Sequence, residues 1–582
     1  MTFRAPVRDL AFAMKTAGFD AVLEKGYVDT DFETVEAVLE AAGSLANEVL
    51  APLNRIGDTV GAQYANGRVT AAPGFADAYK QFIQGGWTGL VAEPEFGGQG
   101  LPKAVEVAVF EMMQSANMAF SLCPMLSLAA IEALTRHGTE RQKKYVLPKL
   151  VSGEWTGAMV LTEPQAGTDL AALTTTAKPD GEGGYTLHGQ KIFITWGDHD
   201  MADNIVHLVI ARTPDAPPGV KGISLFLTSR RLMDENGVLG ARNDFRPASI
   251  EHKMGIHGSP TCVMLYEGAK AELVGELNNG LSHMFVMMNA ARLEVGVQGV
   301  AIAERAFQQA LAFSQERIQG QALWATGASG PIYDHPDVRR TLTLSKARIE
   351  AARGLCLMTG VLADLARVAP TPEERAGALA RQELLTPIAK AWSTDMGVEV
   401  ASASLQVHGG MGYIEETGAA QHYRDARIPP IYEGTNGIQA IDLSGRKLKM
   451  TDGAAMRELC AEMVVTAEAL TETADLAGVG RRLALGVQAL EKATEWQLAN
   501  QGAASLLGAT TYLKLAGDVI GGWFLARQAL NAAGADAPWL KAKASLARIF
   551  ASQVLSLAPG LAEAVMEPLP EMAALAPEAL AG

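Results

Sequence analysis

A mainly α-helical chain with a β-domain inserted between helical units is the fold predicted for this sequence. Three observations carry that prediction. Up to about residue 155 apolar residues recur at helical spacing; from Ala158 to about Glu276 short β-rich runs alternate with Gly, Pro and Asp clusters; helical spacing then returns near Leu281. With 582 residues, and roughly 150 per domain, three or four units are expected. We divide them as an N-terminal helical domain (1–157), a middle, barrel-like β-domain (158–276), a helical bundle (277–446) and a C-terminal helical extension (447–582).

In the first unit, Val35, Val38, Leu39, Ala42, Leu45, Ala46 and Val49 mark a helix over 34–50, which Pro52 is expected to stop. The uncharged stretch from Ser115 to Ile131 contains Pro124 and several Ser and Ala, which predicts a buried helix rather than a membrane span. Tyr185–His188, Lys191–Trp196, Ile205–Ala211 and Ile223–Leu227 are the expected strands. Helices are expected over Ala301–Arg317, Val338–Ala366 and Glu383–Leu405. The polar segment 446–453 then turns the chain into Ala- and Leu-rich helices.

Nearly half of the residues are apolar and 19% are charged, which excludes a disordered chain. A net charge of −15 argues against nucleic acid as a partner. The four cysteines are dispersed, with no C-x-x-C pair and no metal-site spacing, and the first fifteen residues lack a secretory apolar core; a cytoplasmic protein is expected. Asp198-His199-Asp200 reads as a solvated loop rather than a metal site.

The chemistry centres on Ile431-Tyr432-Glu433-Gly434-Thr435-Asn436. Apolar residues run up to Glu433, and Gly434 frees the backbone to bend. A carboxylate in such surroundings loses hydration, so its pKa rises and it becomes a base usable near neutrality. A loop glutamate in water carries the same residue types.

Several further segments, in order, resemble the acyl-CoA dehydrogenase family: Glu93–Gly100 (EPEFGGQG), His137–Glu140 with Tyr145–Gly153, Gly157–Asp169 (GAMVLTEPQAGTD), Lys191–Thr195, Gln406–Tyr413 (QVHGGMGY) and Tyr423–Thr435 (YRDARIPPIYEGT). Together they run in register from Glu93 to Thr435, and the helical extension resembles the family's longer bacterial branch. The resemblance implies an FAD-dependent enzyme that removes hydrogens from the α and β carbons of an acyl-CoA. A short acyl chain is expected, with 3-methylthiopropionyl-CoA of dimethylsulfoniopropionate breakdown as the narrower expectation. Medium- or long-chain dehydrogenation, an acyl-CoA oxidase and a DNA-binding alkylation-response flavoprotein are the competing readings. Electron-transferring flavoprotein is the implied acceptor, and a homo-oligomer, a dimer in preference to a tetramer, the implied assembly.

Residue by residue, the resemblance makes Glu433 the base, with its own backbone N–H and Gly434 at the thioester. Leu161, Thr162, Phe193 and Thr195 would meet the flavin ring, and Gly167 and Thr168 the pyrophosphate, Thr168 also facing substrate. Arg317, Gln319, Gln406 and Gly410 would reach a neighbouring subunit's FAD, and Thr435 and Asn436 its adenosine half. Asn289 and Arg292 are candidates for the coenzyme A end. Read without the family, Thr162 and Thr195 are ordinary strand residues, Arg317 is a solvated helix-end charge and Arg292 makes a helix-surface salt bridge. No G-x-G-x-x-G follows a strand, so FAD binding does not rest on a Rossmann turn. Met159, Phe193 and Gly437 depart from residues common in the family, and 317–320 is one residue short.

Overall fold

The computed structural model describes residues 3–27, 30–321, 323–324, 329–567 and 569–581. The N-terminal unit opens on short helices. Asp31 caps the helix Phe32–Leu45 by accepting the Thr34 N–H at 2.8 Å. The expected stop at Pro52 is corrected. A π-turn over Ala46–Leu50 leads into a further helix, Ala51–Thr59, with Pro52 in its first turn. A proline there has no N–H to leave unbonded, so the axis continues.

The central helix α1, Lys103–His137, is buried along almost its whole length and breaks at Asn117, whose side-chain oxygen accepts the Phe120 N–H at 3.1 Å. Two stretches, Lys103–His137 and Pro538–Met566, are long and apolar enough to cross a membrane by length and composition; the apolar window of α1 is 89% buried inside the protein. Its hydrophobicity is therefore used by the core.

The middle unit is a seven-stranded sheet of β1 (Trp155–Val160), β2 (Thr176–Pro179), β3 (Tyr185–Thr195), β4 (Asn204–Ala211), β5 (Ser224–Ser229), β6 (Phe245–Ile250) and β7 (Thr261–Val274). The order is β1-β4-β5-β7-β3-β2, with β6 beside β7; β1 and β4 are parallel and the other pairs antiparallel. A bridge from Thr176 to Arg212 brings β2 back to the end of β4, closing the sheet into a barrel-like form. The expectation of a solvated 198–200 loop is corrected. Asp198 and His199 are buried, Asp198 faces Arg230 at 3.5 Å, and His199 Nε2 pairs with Thr156 Oγ1 at 2.9 Å. Only Asp200 is exposed, and it accepts the Ala71 N–H.

Three long helices follow: α2 (Gly280–Glu316) and α3 (Pro336–Val368) pack against α1, and α4 (Pro372–Val407) packs against α2 and α3. They are longer than the apolar spacing alone indicates. Glycine lets α2 and α4 approach closely: a Cβ at Gly296 would lie 2.7 Å from the Ala389 carbonyl oxygen, and one at Gly299 would lie 2.2 Å from that of Ser393. That approach brings Arg292 on α2 and Lys390 on α4 to the same loop.

The C-terminal helices lie behind α4. On α5, Ala503–Asn531, Gly517 and Gly521 lie against the Trp392 ring, and Asp518 accepts the Trp392 Nε1–H at 2.9 Å. Lys543, in the following helix, is buried against Glu350 of α3 at 2.6 Å.

Candidate active site

The 428–436 segment leaves a short helix, Ala419–Asp425, and turns sharply before the helix Asn436–Asp442. Glu433 has φ of 58° and Gly434 of 85°. Left-handed backbone costs an ordinary residue about 1–2 kcal/mol, so the loop needs outside bonds to keep Glu433 there. Arg292 Nε and Gln439 Nε2 each donate to the Glu433 carbonyl at 3.4 Å. Lys390 Nζ donates to the Gly434 carbonyl at 2.9 Å. Tyr432 is fixed through its hydroxyl, which donates to Gln298 Oε1. Thr435 caps the next helix by accepting the Ile438 N–H at 3.3 Å.

Glu433 is half-buried. Burial pushes its carboxyl up to about 7, while the positive charges of Arg292 and Lys390 pull the other way. A carboxylate balanced near neutrality meets the requirement of a general base.

Arg292 is buried, and its Nη1 reaches the exposed Asn289 at 3.3 Å. The helix-surface salt bridge considered for it is therefore corrected: its guanidinium faces the base loop. Asn436 turns its side chain inward, donating to Ala391 O, Thr394 Oγ1 and Asp395 Oδ1 at 2.8–3.1 Å and accepting from Lys390 at 2.8 Å. Lys390 and Gln439 carried no recognisable signal in the sequence, because each acts through a backbone carbonyl of a distant loop.

Leu161 and Thr162 continue from β1 and are docked onto β3. Lys191 Nζ donates to the Leu161 carbonyl at 2.8 Å, and the Ile192 N–H to that of Thr162 at 2.9 Å. Beneath them Lys191 and Glu163, both fully buried, pair at 2.9 Å. The register of β3 against β7 slips between Lys191 and Ile194, and there Phe193 takes φ of 60° and stands 58% exposed. Thr195 is half-buried beside it, and Gly167 and Thr168 lie exposed on the loop after β1. An apolar ring projecting from a bulged strand, beside a Gly-Thr turn with open space over Gly167, suits a planar ring attached to a phosphate chain.

Arg317, Gln319, Gln406 and Gly410 are all exposed. Phe313, one helical turn before Arg317, packs on His408 with ring centroids 4.6 Å apart, so the end of α2 and the 406–410 turn form one surface strip. A Cβ at Gly410 would meet nothing within 4 Å.

Comparison with known proteins fits this arrangement. The chain matches the family descriptions "Acyl-CoA dehydrogenase, N-terminal domain" over residues 33–154, "middle domain" over 158–269 and "C-terminal domain" over 278–448. Residues 454–576 match "Acetyl-CoA dehydrogenase C-terminal like". It is 46% identical over 568 residues to the 3-methylmercaptopropionyl-CoA dehydrogenase of Ruegeria pomeroyi, covering 95% of this chain and 96% of that one. A butyryl-CoA dehydrogenase of Syntrophomonas wolfei is 32% identical, with 95% of each covered. The crystal structure of an acyl-CoA dehydrogenase from Bacillus anthracis complexed with FAD superposes with a TM-score of 0.72 at 22% identity, over 92% of this chain and 88% of that one. With every segment of that family present in order, the chain belongs to the acyl-CoA dehydrogenases, FAD-dependent oxidoreductases of acyl-CoA thioesters.

Proposed function

We propose that Glu433 removes the α-proton of a short acyl-CoA thioester, which becomes the 2-enoyl-CoA. The carrying observation is the Glu433 carboxylate, held in a left-handed turn and raised to about 7. Its own backbone N–H is the candidate donor to the thioester oxygen, where negative charge develops as the α-proton leaves. FAD, when bound, supplies the acceptor for the β-hydrogen and its electron pair. Leu161, Thr162, Phe193 and Thr195 are the residues proposed to hold the flavin ring, Gly167 and Thr168 its phosphates, and Asn289 and Thr168 those proposed to meet substrate.

For the substrate we favour 3-methylthiopropionyl-CoA, on the strength of the relative that shares 46% of its residues over nearly its whole length. A thioether sulfur is roughly the size of a methylene, so butyryl- and pentanoyl-CoA should also be accepted. Electron-transferring flavoprotein is the proposed acceptor, in the cytoplasm. A homodimer is the proposed assembly, supported by the exposed strip of Arg317, Gln319, Gln406 and Gly410 and by Met411 and Tyr413 beside it, 51% and 85% exposed.

The test is bleaching of the flavin absorbance by a panel of thioesters, with kcat/KM for each. The thioether, four- and five-carbon substrates should lie within about 1–3 kcal/mol of one another, the usual worth of one methylene, and ahead of sixteen carbons. A clear preference for sixteen carbons contradicts the short-chain assignment, and peroxide release in air without a protein acceptor indicates an oxidase.

A further inference from the structure

The base loop is gripped from behind by a lysine. Lys390 has no exposed surface, and among the described residues both of its hydrogen-bond acceptors belong to the loop: the Gly434 carbonyl at 2.9 Å and Asn436 Oδ1 at 2.8 Å. Asn436 is in turn tied back to α4 through Ala391, Thr394 and Asp395. The peptide following the base is thus clamped to the helix that carries the lysine. An ammonium withdrawn from water and given only neutral oxygens is costly.

We propose that Lys390 is a positioning residue for Glu433, fixing the Gly434 peptide and supplying the positive charge that keeps the neighbouring carboxylate ionised for proton abstraction. This rests on the reading of Glu433 as the base. The charged groups concerned are few. Glu433 faces Arg292 from α2 and Lys390 from α4; Lys390 also faces Asp395; Arg292 faces Asp442 and Arg446. Burial draws the Lys390 ammonium down to about 7, opposed by Glu433 and Asp395 and helped by Arg292, so the charge is present on the acid side of neutrality, where the Glu433 limb lies, and is lost as pH rises through it. Removing it takes away one of the two cations that lower the Glu433 carboxyl, so the carboxyl must titrate at a higher pH. Because the base works deprotonated, the acid limb of activity moves up as well.

The test uses FAD holoenzymes of wild type, Lys390→Met, Lys390→Arg, Lys390→Gln and Glu433→Gln, with butyryl-CoA from pH 5 to 10. Lys390→Met should keep its flavin spectrum, lose roughly ten- to a hundredfold in kcat with KM within threefold, and shift its acid limb up by about one pH unit. Lys390→Arg should restore the limb; Lys390→Gln, which retains a donor without charge, should not. If the Met variant does not fold, the Arg and Gln pair decides the matter alone. An unmoved limb in the folded neutral variants, or equal losses in Arg and Gln with no shift, overturns the proposal while Glu433→Gln stays inactive. Wild-type turnover in Glu433→Gln overturns the base assignment itself, and this proposal with it.

Discussion

Lys191 Nζ lies 2.9 Å from Glu163 Oε1, and neither side chain is more than 1% exposed. Burial alone would raise the Glu163 carboxyl, but Lys191 and hydrogen bonds from Thr174 and Thr175 hold it down at about 2; burial draws Lys191 down to about 8. The same ammonium also holds the Leu161 carbonyl, so this pair locks together the two strands that carry the residues proposed to meet the flavin. Lys191→Met leaves an uncompensated carboxylate in the core, a change that typically costs about 3–5 kcal/mol. Thermal denaturation should show that loss, with reduced FAD occupancy; an unchanged midpoint with full flavin contradicts it.

Gly434 offers a second test. A Cβ there would lie 2.6 Å from Gln439 Nε2, and φ of 85° disfavours any side chain. Gly434→Ala should displace Gln439 from the Glu433 and Gly434 carbonyls, at about 1–2 kcal/mol for the backbone alone. Turnover should fall at least tenfold while flavin absorbance persists, because the strands proposed to hold the flavin lie elsewhere in the chain. Wild-type kcat in this variant contradicts a tightly fixed loop.

The proposed dimer is tested at Tyr413, 85% exposed next to the 406–410 turn. Tyr413→Asp places a charge on that surface and should shift the mass in solution from dimer toward monomer and weaken FAD retention together. Monomeric wild-type protein with full flavin would contradict the shared site.

Much of this was legible in the sequence because it rests on local signals. Helical spacing, the switch to β-rich runs and the Gly turn after Glu433 each depend on neighbours a few residues apart. What escaped depends on tertiary partners. Pro52 looked like a stop because its tolerance in a first turn depends on the π-turn before it. Asp198 and His199 looked solvated because the sequence does not show Arg230 and Thr156 arriving from elsewhere. Arg292 is a candidate in the sequence, but its acceptor on the base loop, a backbone carbonyl 141 residues away, has no residue-type signature. Lys390 has no signature in the sequence for the same reason: it bonds the Gly434 carbonyl, 44 residues distant.

The central claim is tested most directly by turnover of Glu433→Gln across pH. The amide keeps the shape of the side chain but cannot accept a proton, and base catalysis is typically worth about 10²–10⁴-fold. Wild-type activity should rise as pH passes through about 7, where the Glu433 carboxyl ionises. Glu433→Gln should bind FAD normally, lose activity by that factor or more, and show no such rise. Near wild-type rates in the flavin-loaded variant, with the same pH dependence, would contradict the assignment of the base.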